Sequence, residues 1–363
     1  MTLEELRRRL SQVDRELIEL IAARQRIVAE IGAHKIEHAV PTRDYERERE
    51  VLKGARGRAR DLGLEPGLAE QVMRLLIRSS LTHQEQTRVA AGTSGAGKRV
   101  LIIGGAGKMG AWFAEFLASQ GYDVEIADPV ATELPYPHIP DWRDASLTHD
   151  IVVVATPIKV AAEVLSELAT HRPSGLVMDI GSLKTPLREP LERLVAAGCR
   201  VTSIHPMFGP DTRLLSGRHV IFVDVGVPEA TNEARGLFAS TMAEQIEMSL
   251  EDHDRLIAFV LGLSHALNLA FFTALANSGE LVPRLQKLSS TTFDAQLKVA
   301  ALVAQDNPHL YFDIQTLNDY GGTALVALTD AAATIRRLVE TRDETGFVEL
   351  MKAGRRYLEN RRE

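Results

Sequence analysis

The stretch R-V-L-I-I-G-G-A-G-K-M-G, Arg99 to Gly110, decides the fold. Four branched apolar residues in a row, Val100 to Ile103, suit a strand buried on both faces. Gly105, Gly107 and Gly110 then fall at G-x-G-x-x-G spacing. The first glycine allows the turn, the second lets a pyrophosphate approach the backbone, and the third lets helix pack on strand; the helix N-terminus, with Lys108 and Met109, offers N–H groups to the phosphates. A helical run follows (Ala111 to Gln120), then a second strand (Asp123 to Ala127) ending in Asp128, 23 residues past Gly105. An acid there holds the ribose 2′-hydroxyl of NAD and repels the 2′-phosphate of NADP. NAD is therefore the expected cofactor.

Working outward, the order after Asp128 alternates strand and helix. Asp150 to Ala155 precedes a helix from Lys159, and Leu176 to Ile180 precedes a helix from Thr185; Arg200 to Ile204 and His219 to Val223 follow. This predicts a doubly wound α/β sheet with function at the carboxyl ends of its strands. Those ends read Thr156-Pro157-Ile158, Asp179-Ile-Gly-Ser182-Leu-Lys184 and His205-Pro-Met-Phe-Gly-Pro210. Thr156 and Pro157 would line the cofactor. His205, held before two prolines, is the candidate to accept a proton from a substrate hydroxyl as hydride leaves the same carbon.

The chain has 363 residues and 45% hydrophobic content, enough for several cored domains, and one cysteine, Cys199, which excludes an internal disulfide framework. The charged start M-T-L-E-E-L-R-R-R-L is unlike a secretory signal, so a cytoplasmic protein is expected. A net charge of −7 argues against general nucleic-acid binding. Leu256 to Ala276 is free of formal charge but holds Ser264, His265 and Asn268. Such polar groups are costly in lipid, so a core or dimer-interface helix is expected and no membrane contact. No metal site is expected.

The first 90 residues differ in character: they carry a net charge of +2, against −9 for the remainder. Thr2 and Glu5 form a capping-box pattern, followed by an apolar seam at Leu3, Leu6, Leu10, Val13, Leu17, Leu20, Ile27 and Ile31. A helix to about residue 38 follows, long enough to need a partner along its side, another copy of the chain. Arg24 and His34 interrupt the seam, with Arg7 and Lys35 beside it. Beyond Pro41, Asp44, Arg47 and Glu48 fall on one helical face, and a third helix (about 66 to 88) carries Ser80 and Gln84 four apart. Together these form a cationic pocket suited to a small multiply charged anion.

Residues 1–90, through L-R-R-R-L-S-Q-V-D, Arg24, Lys35, D-Y-E-R-E and S-L-T-H-Q, resemble the all-helical chorismate mutase family. The resemblance implies that Arg7 from a partner chain, Arg24 and Arg47 hold the two carboxylates of chorismate. Lys35 and Gln84 would face the ether oxygen, Asp44 and Glu48 the ring hydroxyl, and Ser80 would support them. Ser11 stands where that family usually has Asp. No nucleophile is required; the reaction to prephenate is driven by holding a reactive conformer and stabilising charge.

From about residue 98 onward, the glycine-rich strand, D-I-G-S-L-K and S-I-H-P-M-F-G-P resemble the prephenate dehydrogenase family. Nearly the whole chain thus resembles the bifunctional chorismate mutase/prephenate dehydrogenases of tyrosine biosynthesis. The resemblance implies that prephenate is oxidised by hydride transfer to NAD with loss of carbon dioxide, giving 4-hydroxyphenylpyruvate. His205 would polarise the ring hydroxyl, Ser182 would orient His205 or the nicotinamide, and Lys184 would add charge or lie solvated. It also implies a homodimer, with His265, twelve residues after His253, reading substrate or a tyrosine feedback inhibitor. Related enzymes carry S-S-P-x-Y/F-R, whose arginine grips a carboxylate; here Asp294 follows Ser289 to Phe293, and Lys298 is the candidate substitute. Arogenate stays open as substrate on that ground. Also open is a Rossmann 3-hydroxyacid dehydrogenase whose N-terminal helices only dimerise.

The expected organisation is a helical mutase domain (1–90), a linker (91–98), a Rossmann domain (99–250) and an all-α dimerisation and substrate domain (251–363). Within the linker, Gly92, Gly97 and Lys98 match a P-loop spacing. Arg99 stands where Ser or Thr must bind magnesium, and the loop precedes its strand, so no P-loop is expected.

Overall fold

The computed structural model describes residues 1–92, 94–131 and 133–359; the linker's Thr93 lies outside the described residues. The first helix, α1 (Leu3–Glu37), starts on the expected capping box: Glu5 N–H donates to Thr2 Oγ1 at 3.2 Å, and Thr2 N–H to Glu5 Oε2 at 2.7 Å. Only Val28 and Gly32 of α1 are buried, and seam residues such as Leu10 and Leu20 are more than 60% exposed in the single protomer. Asp44 caps α2 (Tyr45–Asp61) through Arg47 N–H, and Pro66 opens α3 (Pro66–Ala91). The α3 residues Ser80, Leu81, Gln84, Glu85 and Val89 are buried, and α3 packs against both α1 and α2.

The sheet begins with β1 (Arg99–Ile103), α4 (Lys108–Ser119), β2 (Asp123–Ala127), β3 (His138–Ile139) and β4 (Ile151–Val154). Then come α5 (Ile158–His171), β5 (Leu176–Asp179), α6 (Arg188–Ala196), β6 (Arg200–Pro206), β7 (His219–Val223), α7 (Pro228–Gly236) and β8 (Glu244–Met248). Strand order is β3-β2-β1-β4-β5-β6-β7-β8. Val100 pairs with Val124 on one side and Ile151 on the other, so β1 is the strand from which the order departs in both directions. Ligands of such sheets bind there.

β7 runs antiparallel to β6 (Ile204 opposite Phe222), and β3 and β8 are edge strands that the expected alternation did not include. The helix expected from Thr185 opens as a 3₁₀ turn, Thr185–Leu187, and continues directly into α6. β1, β4 and β5 are buried throughout apart from Arg99. Phe113, Phe116, Phe222 and Phe238 form an aromatic core against the sheet, with the Phe116 and Phe238 rings stacked at 5.0 Å.

The chain forms two compact units. One comprises Met1–Thr156, Glu163–Ile180 and Pro190–Glu247, so the three N-terminal helices and the sheet belong together. The other comprises Pro157–Ala162, Gly181–Glu189 and the chain from Met248 onward. In it α8 (Leu250–Ile257) continues through a π-helical stretch, Ala258–Leu263, into α9 (Ser264–Asn277). α10 (Val282–Lys287), α11 (Thr291–Gln305), α12 (Pro308–Thr316), α13 (Gly321–Glu340) and α14 (Glu344–Glu359) complete it.

The run Leu250–Asn277 is long and apolar enough to cross a membrane by length and composition. Two of its polar side chains are bonded within the unit: Ser264 Oγ donates to Val260 O at 2.7 Å, and Asn268 Nδ2 donates to Ser264 O and its Oδ1 accepts from Gln296 Nε2, each at 2.8 Å.

Candidate active sites

In the helical bundle, Arg24 and Ser80 meet. Arg24 Nη1 donates to Ser80 Oγ at 2.6 Å and to Leu76 O at 3.2 Å, and burial pushes the guanidinium pKa down from its usual value. Arginine stays charged under such a shift. One turn along α3, Gln84 is buried, and its Oε1 has no hydrogen-bond partner among the described residues. Gly32 allows α1 close to it, since a Cβ there would stand 3.1 Å from Gln84 Cγ. Lys35 Nζ donates to Thr42 O at 2.7 Å, fixing the turn between α1 and α2.

The three α2 candidates do not converge. Asp44 is spent on the N-cap, and Glu48 is gripped by Arg43 through two hydrogen bonds of 2.8 and 3.1 Å. Arg47 turns outward to Glu50 Oε2 at 2.9 Å, its side chain 70% exposed. At the third position of a helix capped by Asp44, its i,i+3 partner lies on the solvent face. Arg47 therefore does not join Arg24 in this arrangement. Arg7 is exposed on α1.

At the head of the sheet, Gly107 caps α4 with no side-chain hydrogen bond, leaving the first-turn N–H groups open. A Cβ on Gly110 would run into Gly104 O, and one on Gly105 into Ile126 Cγ2. Both positions thus require glycine. Asp128 is buried at the end of β2; its Oδ2 accepts from Ala106 N–H at 3.1 Å and its Oδ1 from Val130 N–H at 2.9 Å. Thr156 follows β4, where its buried Oγ1 has no partner among the described residues. A glycine cradle, an open helix N-terminus, a carboxylate at the ribose position and an unmet hydroxyl fit a dinucleotide with a 2′-hydroxyl. His205 is buried in β6 opposite Ile221.

In the other unit, Lys184 is fully buried and not solvated. Its N–H donates to Asp254 Oδ1 at 2.9 Å, while Asp254 also accepts from Thr185 N–H and, at 2.5 Å, from Thr185 Oγ1. His253 Nδ1 lies 2.7 Å from Asp254 Oδ1, and Asn318 Nδ2 donates to Asp254 O at 2.8 Å. These bonds outweigh burial and hold the Asp254 carboxyl below its usual pKa. Asp254 is the organising residue that sequence reading missed; its signal was the pair of acids flanking the histidine in Asp252-His253-Asp254. Ser182 is half-buried in the segment that carries Lys184.

His265 stacks on Tyr311 with ring centres 4.1 Å apart; desolvation lowers its pKa, and its Nδ1 lacks a partner among the described residues. Asp294 sits in the first turn of α11, accepting from Ser289 Oγ at 2.5 Å. Negative charge is favoured there. Lys298 is exposed one turn further on. His34, Glu37 and His38 bring possible ligand atoms within 4.8 Å of one another on an exposed surface. Sequence reading had not singled out that cluster.

Three family models match consecutive parts of the chain. They are chorismate mutase type II over residues 6–85, the prephenate dehydrogenase nucleotide-binding domain over 124–246 and the prephenate dehydrogenase dimerization domain over 249–353. The T-protein of Enterobacter agglomerans is 31% identical over 313 residues, 85% of this chain and 80% of that protein. The chain belongs to the T-protein family. The Haemophilus influenzae T-protein is 27% identical over 352 residues, 96% of this chain and 90% of that one. A crystal structure of the prephenate dehydrogenase from A. aeolicus shares the fold, with a TM-score of 0.56 at 22% identity, covering 73% of this chain and 99% of that one.

As a member of the T-protein family, the chain is a bifunctional enzyme of tyrosine biosynthesis. It carries chorismate mutase and NAD-dependent prephenate dehydrogenase activities.

Proposed function

We propose how this chain's residues divide the two reactions. The mutase occupies 1–90 and is joined by 91–98 to the NAD-binding domain, 99–250, with 251–363 as the helical dimerisation and substrate domain. In the mutase, Arg24 and Arg7 of the partner subunit hold the chorismate carboxylates, and Ser80 fixes Arg24. Lys35 and Gln84 stabilise charge on the breaking ether oxygen, and Glu48 faces the ring hydroxyl. The observation carrying this is the buried Gln84 amide with an unmet carbonyl oxygen one turn from the Arg24–Ser80 contact. A buried polar atom without a partner is costly, and a ligand-facing role accounts for it.

For the dehydrogenase, Gly105, Gly107, Gly110 and the first turn of α4 receive the pyrophosphate, Asp128 the ribose, and Thr156 and Pro157 the nicotinamide side. When bound, NAD supplies the hydride acceptor. His205 takes the proton of the ring hydroxyl; Ser182 orients that imidazole or the nicotinamide; Lys184 contributes positive charge. Lys298 receives a substrate carboxylate in place of the arginine replaced by Asp294. Lys298→Ala then raises the KM for prephenate, and an unchanged KM removes that assignment. We further place the homodimer in the cytoplasm, with tyrosine acting as feedback inhibitor through His265.

A further inference from the structure

Arg43 stands between the helical bundle and the sheet domain, within one compact unit. Its Nε and Nη2 donate to the two oxygens of Glu48 at 2.8 and 3.1 Å, and its Nη1 donates to Ser216 Oγ at 2.6 Å. Arg43 is 28% and Glu48 20% exposed at the side chain, so the pair is sheltered without being sealed. The fork geometry fixes the carboxylate plane, which a lysine in the same place could not do. Ser216 belongs to the segment between β6 and β7, eleven residues after His205.

A second bond holds the same segment to the bundle. Glu85, next to Gln84 on α3, is 3% exposed and accepts from Leu215 N–H at 2.7 Å and Met242 N–H at 2.5 Å. Adjacent residues of α3 therefore do different work: Gln84 keeps an unmet carbonyl within the bundle, and Glu85 is committed to the sheet domain. Glu48, Arg43, Ile77, Leu81 and Ser216 line a common cavity of about 300 Å³.

We infer that Arg43 is a positioning residue for the mutase reaction, and that Ser216 of the dehydrogenase domain completes it by fixing the guanidinium that orients Glu48. This deepens the proposed mutase site and rests on Glu48 facing the chorismate ring. The mutase domain is thus incomplete without the 207–218 segment.

Both reactions are measured on the full-length protein. Ser216→Ala lowers mutase kcat about five- to tenfold with the chorismate KM little changed, as expected for loss of one bond to a charged group. Ser216→Thr, which keeps the hydroxyl, restores it. Arg43→Lys lowers mutase kcat at least as much. Dehydrogenase kcat with prephenate stays within about twofold in the Ser216 variants, which also reports folding of the sheet domain. Unchanged mutase kcat in Ser216→Ala and Arg43→Lys, with Glu48→Gln impaired, overturns the positioning role alone. Unchanged kcat in Glu48→Gln overturns it together with the reading of Glu48.

Discussion

Arg24 of α1 and Ser80 of α3 are joined at 2.6 Å, and the Ser80 hydroxyl in turn donates to Leu76 O at 2.7 Å. The serine thereby has its proton engaged and its lone pair turned to the guanidinium. A cation that interrupts an apolar seam is thereby held at one angle.

Replacing Arg24 with Ala is expected to lower mutase kcat/KM about 100-fold, the scale of a lost charged hydrogen bond to a dianion. Ser80→Ala should cost less, about fivefold, because the charge remains. Steady-state chorismate consumption checks both, with prephenate oxidation as the unaffected control.

Asp128 accepts two backbone N–H groups, so its carboxylate is fixed as well as buried. Asp128→Ser should raise the KM for NAD about tenfold and open the enzyme to NADP, since the repulsion of a 2′-phosphate is removed. The ratio of kcat/KM for the two cofactors is the readout.

His205→Asn keeps an imidazole-like hydrogen-bonding shape but cannot take a proton. Dehydrogenase kcat should fall by about 10² to 10⁴, the range for loss of a general base, while chorismate rearrangement continues at the original rate.

His265 has a folded-state pKa lowered by desolvation. Unfolding then takes up a proton below the free-imidazole value of about 6.5, so its stabilising effect is full above that pH and declines as pH falls through the lowered pKa. Thermal unfolding between pH 7.5 and 5 should show a steeper loss of Tm in the wild type than in His265→Phe, which keeps the ring stacked on Tyr311.

Much of this was legible in the chain. The apolar run Val100 to Ile103, its glycines and Asp128 lie within one strand-turn-helix-strand unit, and local spacing is enough to read them. β3 was invisible because two residues, His138 and Ile139, carry no period. β8 reads E-Q-I-E-M, largely polar because it closes an edge. The helical period put Asp44, Arg47 and Glu48 on one face, but it could not say that Asp44 would cap the helix, Arg47 turn to Glu50 and Glu48 pair with Arg43. Tertiary partners decide that. Arg43–Ser216 and Glu85–Leu215 span 173 and 130 residues, and no pattern within a helix announces them. Lys184 reads in the sequence equally well as solvated or as a source of charge near the site; its complete burial, which depends on the tertiary fold, excludes the first.

The most direct test of the central claim is to incubate the purified protein with chorismate, first without and then with NAD, following chorismate loss and NADH formation together. Chorismate should disappear without cofactor, and NADH should form only once NAD is added, in an amount matching the prephenate accumulated. Chorismate that persists would contradict the mutase reading of α1 to α3, and chorismate loss with no NADH would contradict prephenate as the dehydrogenase substrate.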